Sequence, residues 1–167
     1  MKHIHKMTLS GVFIALGVVT GSILYIPIGV IKAFPVQHVI NVLSAILLGP
    51  FYAVANAFLI SLIRNFTGVG SLLAFPGSMI GAWIAASVYK KWKKVGLTFL
   101  GEWIGTGIVG AVIASLMAKA FLGSTAPMSI FLMSFLASSL VGAGIAVLLY
   151  GALSKAGLFS ALERKNT

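Results

Sequence analysis

Gln37, His38 and Asn41 stand close together in the stretch FPVQHVINVL, residues 34–43, of a chain that is otherwise apolar nearly end to end. At about 100° per residue, a helix sets Gln37 and Asn41 about 40° apart and His38 and Asn41 about 60° apart, so all three share one face. Two amides and an imidazole supply donors and acceptors, and imidazole also takes a proton near neutrality. Such a face holds a small polar solute or hydrogen-bonds to a neighbouring helix, and residue types alone leave both readings open. Contacts of the second kind average about 0.6 kcal/mol in membranes.

Other polar residues extend the candidate site. Arg64 and Asn65 follow Ser61 by about one turn, and Arg64 either reaches the headgroups or hydrogen-bonds a ligand oxygen. Ser78 lies in PGSM, just after Phe75, and Phe34 opens the first stretch. Phe34, Phe75 and Tyr25 are rings on which a ligand could stack. Glu102 is the one acid outside the tail, since Asp is absent and the other Glu is Glu163. Thr98 and Thr106 lie one turn either side of it. Glu102 remains a candidate ligand contact, but its place early in its helix predicts a shallower, cytoplasmic-side position. That favours a structural or partner-coupling role.

Several chemistries find no residues to carry them. There is no Cys, hence no thiolate metal site or disulfide. GVGS at residues 68–71 lacks the GK[ST] ending of a phosphate loop, and HEXXH and GXSXG do not occur. His3 and His5 form a lone HXH near the terminus, which is weak as a metal site. The expectation is a protein that is not an enzyme, with no cofactor and no metal; any ATP-driven step belongs to another protein. An enzyme using His38 and Glu102 is disfavoured by their expected difference in depth.

The elements that position these residues are membrane helices. The 167 residues are 59% hydrophobic and 8% charged, with a mean hydropathy of +1.08; soluble domains carry about 25% charge. A net charge of +10 would suggest nucleic acid in a soluble protein, but here Lys and Arg cluster between apolar runs, as topology signals do. The first run, Met7 to Ile26, is long enough to cross at about 1.5 Å per residue and lacks a convincing cleavage site, so it reads as a retained helix. Helix two is expected over Val36 to Leu48 and helix three from Pro50 to Arg64, split at Gly49-Pro50. Both are short, which predicts a cavity near one membrane face. Helix four runs from Leu72 to Tyr89, ended by KKWKK, helix five from Val95 to Phe121, and helix six from Met128 to Leu153, followed by the polar tail LERKNT.

The fold class is therefore an all-α integral membrane protein of six transmembrane helices, one domain over residues 1–167. Lys2, Lys6, Lys90, Lys91, Lys93, Lys94, Lys155, Arg164 and Lys165 fall on one side, against Lys32, Arg64 and Lys119 on the other. The bias predicts cytoplasmic N- and C-termini and an external Gln37 cluster. Small residues four apart recur at Gly11/Ala15, Gly17/Gly21, Gly77/Gly81, Gly101/Gly105 and Gly110/Ala114, a pattern that lets helices approach closely.

FPVQHVINVLSAILLGPFYAVANAFLISLIRN, LLAFPGSMIGA and GEWIGTGIVGA resemble the ThiW family, over about Tyr25 to Ala114. The resemblance implies a substrate-binding S component of an energy-coupling factor (ECF) transporter, in the cell membrane. The ligand it implies is hydroxyethylthiazole, the thiazole precursor of thiamine. It also implies a membrane coupling protein and two cytosolic ATPases as partners, with no nucleic acid. Gly11 and Ala15 match the helix-one docking stripe, where the usual form has Ala at both. Phe34, Gln37, His38, Asn41, Arg64, Asn65, Phe75, Ser78 and Glu102 are then the candidate ligand-binding residues. Rival ligands are the pyrimidine moiety and intact thiamine. The latter is disfavoured because a cation calls for an acid and the external cluster holds none. A purely structural membrane subunit is the remaining alternative.

Overall fold

A computed structural model describes residues 3–28 and 31–157. Its described residues form six helices and one short hairpin: α1 (His3–Ile23), β1 (Ile26–Ile28), β2 (Ile31–Ala33), α2 (Pro35–Leu47), α3 (Pro50–Phe66), α4 (Ala74–Trp92), α5 (Val95–Leu122) and α6 (Met128–Lys155). The six expected helices are present, with ends shifted by a few residues. The tail LERKNT lies outside the described residues.

Breakers act where the sequence puts them. Gly49 adopts φ 89°, a left-handed conformation open to a residue without Cβ, and Pro50 starts α3 with φ already fixed. The KKWKK run ends α4 at Lys93, which takes φ 53°. Two features were not expected. β1 and β2 pair antiparallel, Ile26 opposite Ala33 and Pro27 opposite Lys32. In α5, residues Gly105–Gly110 are wound as a π-helix between α-helical Val95–Ile104 and Ala111–Leu122. Wide turns of this kind often mark functional sites.

Helix α4 is central, packed against α2, α3 and α5, while α6 covers α2 and α5 and α1 lies across α2 and α3. The α4–α5 contact is a ladder of small residues. A Cβ at Gly110 would overlap Gly77 Cα, one at Gly105 would come 2.9 Å from Gly81 Cα, and one at Gly101 would come 3.2 Å from Ala85 Cα. These pairs thus serve close packing within the chain. Gly17 and Gly21 likewise face inward, against Ile60 and Arg64. Gly11 and Ala15 do not: both are exposed, and nothing lies within 4 Å of a Cβ placed on Gly11.

The core holds Phe13, Ile40, Val42, Leu43 and Ile60 beside a run of alanines, Ala53, Ala57, Ala82, Ala85 and Ala86. Large apolar side chains such as Val19, Phe51, Trp83 and Leu148 point outward, the arrangement suited to lipid rather than water. Three helices are long and apolar enough to cross a membrane: His3–Gly21 of α1, Val95–Leu122 and Met128–Lys155.

Candidate functional site

The hairpin end of the bundle contains a cavity of about 190 Å³. Helix α2 contributes Gln37 and His38 from its first turn, with Phe34 just before it. Arg64 enters from the last turn of α3, followed by Val69, Gly70 and Ser71 from the connection to α4. Ala74 and Ser78 come from α4, Thr106 from the π-turn, and Ser134, Phe135 and Ser138 from α6. The shortness of α2 and α3 is what lets loop backbone reach this cavity, as expected from their lengths.

Two hydrogen-bonded groups form its polar wall and the layer behind it. In the first, Gln37 Nε2 donates to Ser61 Oγ at 2.7 Å, and Gln37 Oε1 accepts from an Arg64 Nη at 3.2 Å. Arg64 also donates to the Val69 carbonyl at 3.5 Å, and its guanidinium carbon stands 5.4 Å from the centre of the Phe34 ring. A guanidinium has five N–H donors, so hydrogen remains for a further acceptor. Of the two readings of Arg64, the one that sends it to the headgroups is not met: the side chain is 5% exposed and turned inward.

In the second group, Glu102 Oε1 is approached by His38 Nδ1 at 2.9 Å, Asn41 Nδ2 at 2.9 Å and Thr106 Oγ1 at 3.0 Å. Asn41 Nδ2 also donates to the Ser78 carbonyl at 3.1 Å. Glu102 is fully buried. Its access depends on the glycine ladder, because a Cβ at Gly81 would lie 2.8 Å from Glu102 Oε2 and overlap Thr106 Oγ1. An apolar surrounding makes a carboxyl expensive unless such partners are supplied.

This geometry corrects the depth assigned to Glu102. Glu102 meets the Gln37–Asn41 face directly, and the distance argument against a His38–Glu102 pair falls. So does the argument that the cluster holds no acid, which had counted against intact thiamine. Thr98, by contrast, donates back to the Lys94 carbonyl of its own helix.

Five of the expected residues border the cavity: Phe34, Gln37, His38, Arg64 and Ser78. Asn41 and Glu102 stand behind that wall rather than in it. Asn65 is turned away, donating to the Ser61 carbonyl at 2.8 Å, and Phe75 packs on Phe58 with ring centres 5.7 Å apart. Tyr25 does not border the cavity but stands beside Phe34, at 6.2 Å between ring centres. The second ring that borders the cavity is instead Phe135, which sequence reasoning missed together with Ser134 and Ser138. Serines one turn apart in the apolar run FLMSFLASSL were the available signal. Ser138 Oγ accepts from the Phe34 backbone N–H at 3.0 Å and so ties the hairpin to α6.

Among the described residues no group of three or more His, Cys, Asp or Glu is placed to hold a metal ion. What the arrangement can do is hold a small ring in a cavity bordered by Phe34 and Phe135 and hydrogen-bond its edges. No curated protein and no solved structure matches the chain. Residues 7–156 match the sequence model of the family described as thiamine-precursor transporter protein (ThiW). That match spans nearly the whole helical bundle, cavity included, and places the chain in the ThiW family of thiamine-precursor transporters.

Proposed function

We propose that the chain is the substrate-binding S component of an ECF-type uptake system and that its ligand is hydroxyethylthiazole. The observation that carries this reading is the 190 Å³ cavity itself, walled by Phe34 and Phe135 and edged by Gln37, His38 and Arg64. An apolar cavity of about 150 Å³ accepts benzene, so this one suits a single ring with short substituents. The ligand has about nine non-hydrogen atoms, and at a ceiling near −1.5 kcal/mol per atom, nanomolar binding requires contact with nearly all of them. Such contact calls for an occluded site, and the hairpin is the segment that would cover it.

The remaining parts of the proposal follow from the charge pattern and the helix surfaces. All six helices cross the membrane, both termini are cytoplasmic, and the cavity opens outward. The exposed Gly11/Ala15 face of α1 docks a membrane coupling protein, and two cytosolic ATPases drive release of the ligand inward. Glu102 and Asn41 serve the site from behind its wall. A second reading, intact thiamine, gains from the acid beside His38, but its two rings need more room than the single ring of the thiazole.

Calorimetry or thermal shift on the purified protein in detergent tests this, against the thiazole, the pyrimidine moiety, thiamine and their phosphates. Saturable stabilisation by the thiazole, weakened in His38→Ala, is the expected outcome. Binding of none of them, with His38→Ala merely unfolding, would leave a structural membrane subunit as the better account.

A further inference from the structure

The orientation of the Asn41 amide is fixed by its contacts. Its nitrogen lies 3.1 Å from the Ser78 carbonyl, which can only accept, so that nitrogen is the donor. The same nitrogen lies 2.9 Å from Glu102 Oε1, which therefore accepts. His38 Nδ1 faces that same oxygen at 2.9 Å. With Glu102 as a carboxylate, Oε1 offers only lone pairs, and a bare Nδ1 would be repelled at this distance, so His38 Nδ1 carries hydrogen. In a neutral imidazole the other nitrogen is then an acceptor.

That other nitrogen, Nε2, sits on the ring edge away from Glu102. His38 borders the cavity and Glu102 does not. Nε2 makes no hydrogen bond to any described residue, and it is not among the buried polar atoms left unpaired. The geometry points to Glu102 as a positioning residue that holds His38 in its Nδ1–H form, making Nε2 an acceptor for a donor group on the ligand.

This inference rests on the thiazole reading and sharpens it. Hydroxyethylthiazole has a single donor, its hydroxyl; the ring nitrogen and sulfur only accept. The hydroxyl therefore binds at His38, and the ring nitrogen is left for a donor such as Arg64. A ligand without that hydrogen leaves Nε2 facing an unmatched group.

Calorimetry on the wild-type protein with hydroxyethylthiazole and its O-methyl ether tests the assignment. The ether is expected to bind roughly ten- to a hundredfold more weakly. Glu102→Gln keeps an acceptor oxygen for the three donors and retains that preference. Glu102→Met removes the acceptor and reduces the preference to about threefold or less. Nitrogen NMR of ¹⁵N-histidine-labelled protein gives a readout that loss of packing alone would not move: His38 is protonated at Nδ1 in wild type and Glu102→Gln, and shifts towards Nε2 in Glu102→Met. Should Glu102→Met fail to fold, the ether comparison and the wild-type spectrum decide. Equal binding of alcohol and ether, or a wild-type His38 protonated at Nε2, overturns the inference while leaving the thiazole reading standing. Binding of neither compound by wild type overturns both.

Discussion

Gln37 and His38 are neighbours on one helix and border one cavity, yet they are wired in opposite ways. Gln37 is closed on both sides: its nitrogen is held by Ser61 and its oxygen by Arg64, while Ser61 in turn meets Ser78 Oγ at 3.2 Å. His38 is closed on one side only, through Glu102, and its second nitrogen has no partner among the described residues. A polar group whose valences are all met by the protein builds shape. One with a free valence, fixed by a buried partner behind it, can read a ligand. The difference separates scaffold from recognition within a single turn of α2.

The largest effect is expected where both halves depend on the same packing. Gly142 of α6 lies so close to α2 that a Cβ there would overlap the Pro35 carbonyl and come 2.7 Å from His38 Cβ. Gly142→Ala must push α2 outward, so it should lower stability by about 1–3 kcal/mol and weaken thiazole binding more than any surface change. Gly144→Ala, two residues along and with nothing within 4 Å of its Cβ, is the control. Thermal unfolding in detergent and calorimetry on the same samples check both.

The next pair of substitutions addresses the comparison itself. His38→Ala is expected to reduce thiazole affinity by roughly tenfold or more. Gln37→Ala should act mainly on folding, since it strips Arg64 and Ser61 of a buried partner at about 1–3 kcal/mol. Measured by calorimetry and thermal unfolding together, the two should separate into an affinity loss and a stability loss. If Gln37→Ala instead weakens binding as much as His38→Ala at full stability, the division between scaffold and recognition is wrong.

How far the sequence reached depends on which physical rule was in play. Helix count and breaks were legible because Gly49-Pro50 and the KKWKK run act locally on the backbone. The shared face of Gln37, His38 and Asn41 followed from helical period alone. Glu102 was misplaced because depth was counted along the chain, whereas which side chains meet depends on how α5 packs against α2 and α4. The glycines at 101, 105 and 110 were noted as packing residues, but their pairing with Ala85, Gly81 and Gly77 is a tertiary fact. Phe135 was invisible for the same reason: one apolar ring on an apolar helix carries no periodic signal of what it faces. Phe75 looked equivalent and turned to Phe58 instead.

The smallest effect on the isolated protein is expected at the outer face of α1, and it is informative for that reason. Along this one helix, Gly17 meets Ile60 Cδ1 at 2.5 Å from a would-be Cβ, whereas Gly11 meets nothing within 4 Å. Both are small, but only Gly17 is explained by packing within the chain. Gly11→Leu should leave stability within about 0.5 kcal/mol and leave thiazole binding unchanged, because the side chain enters open space far from the cavity. If the face receives a coupling protein, the same leucine separates two helices that need close approach. Uptake by cells that contain the full transporter should then fall while binding by the purified protein does not. Unchanged uptake would mean that the open stripe faces only lipid and that the coupling protein docks elsewhere on the bundle.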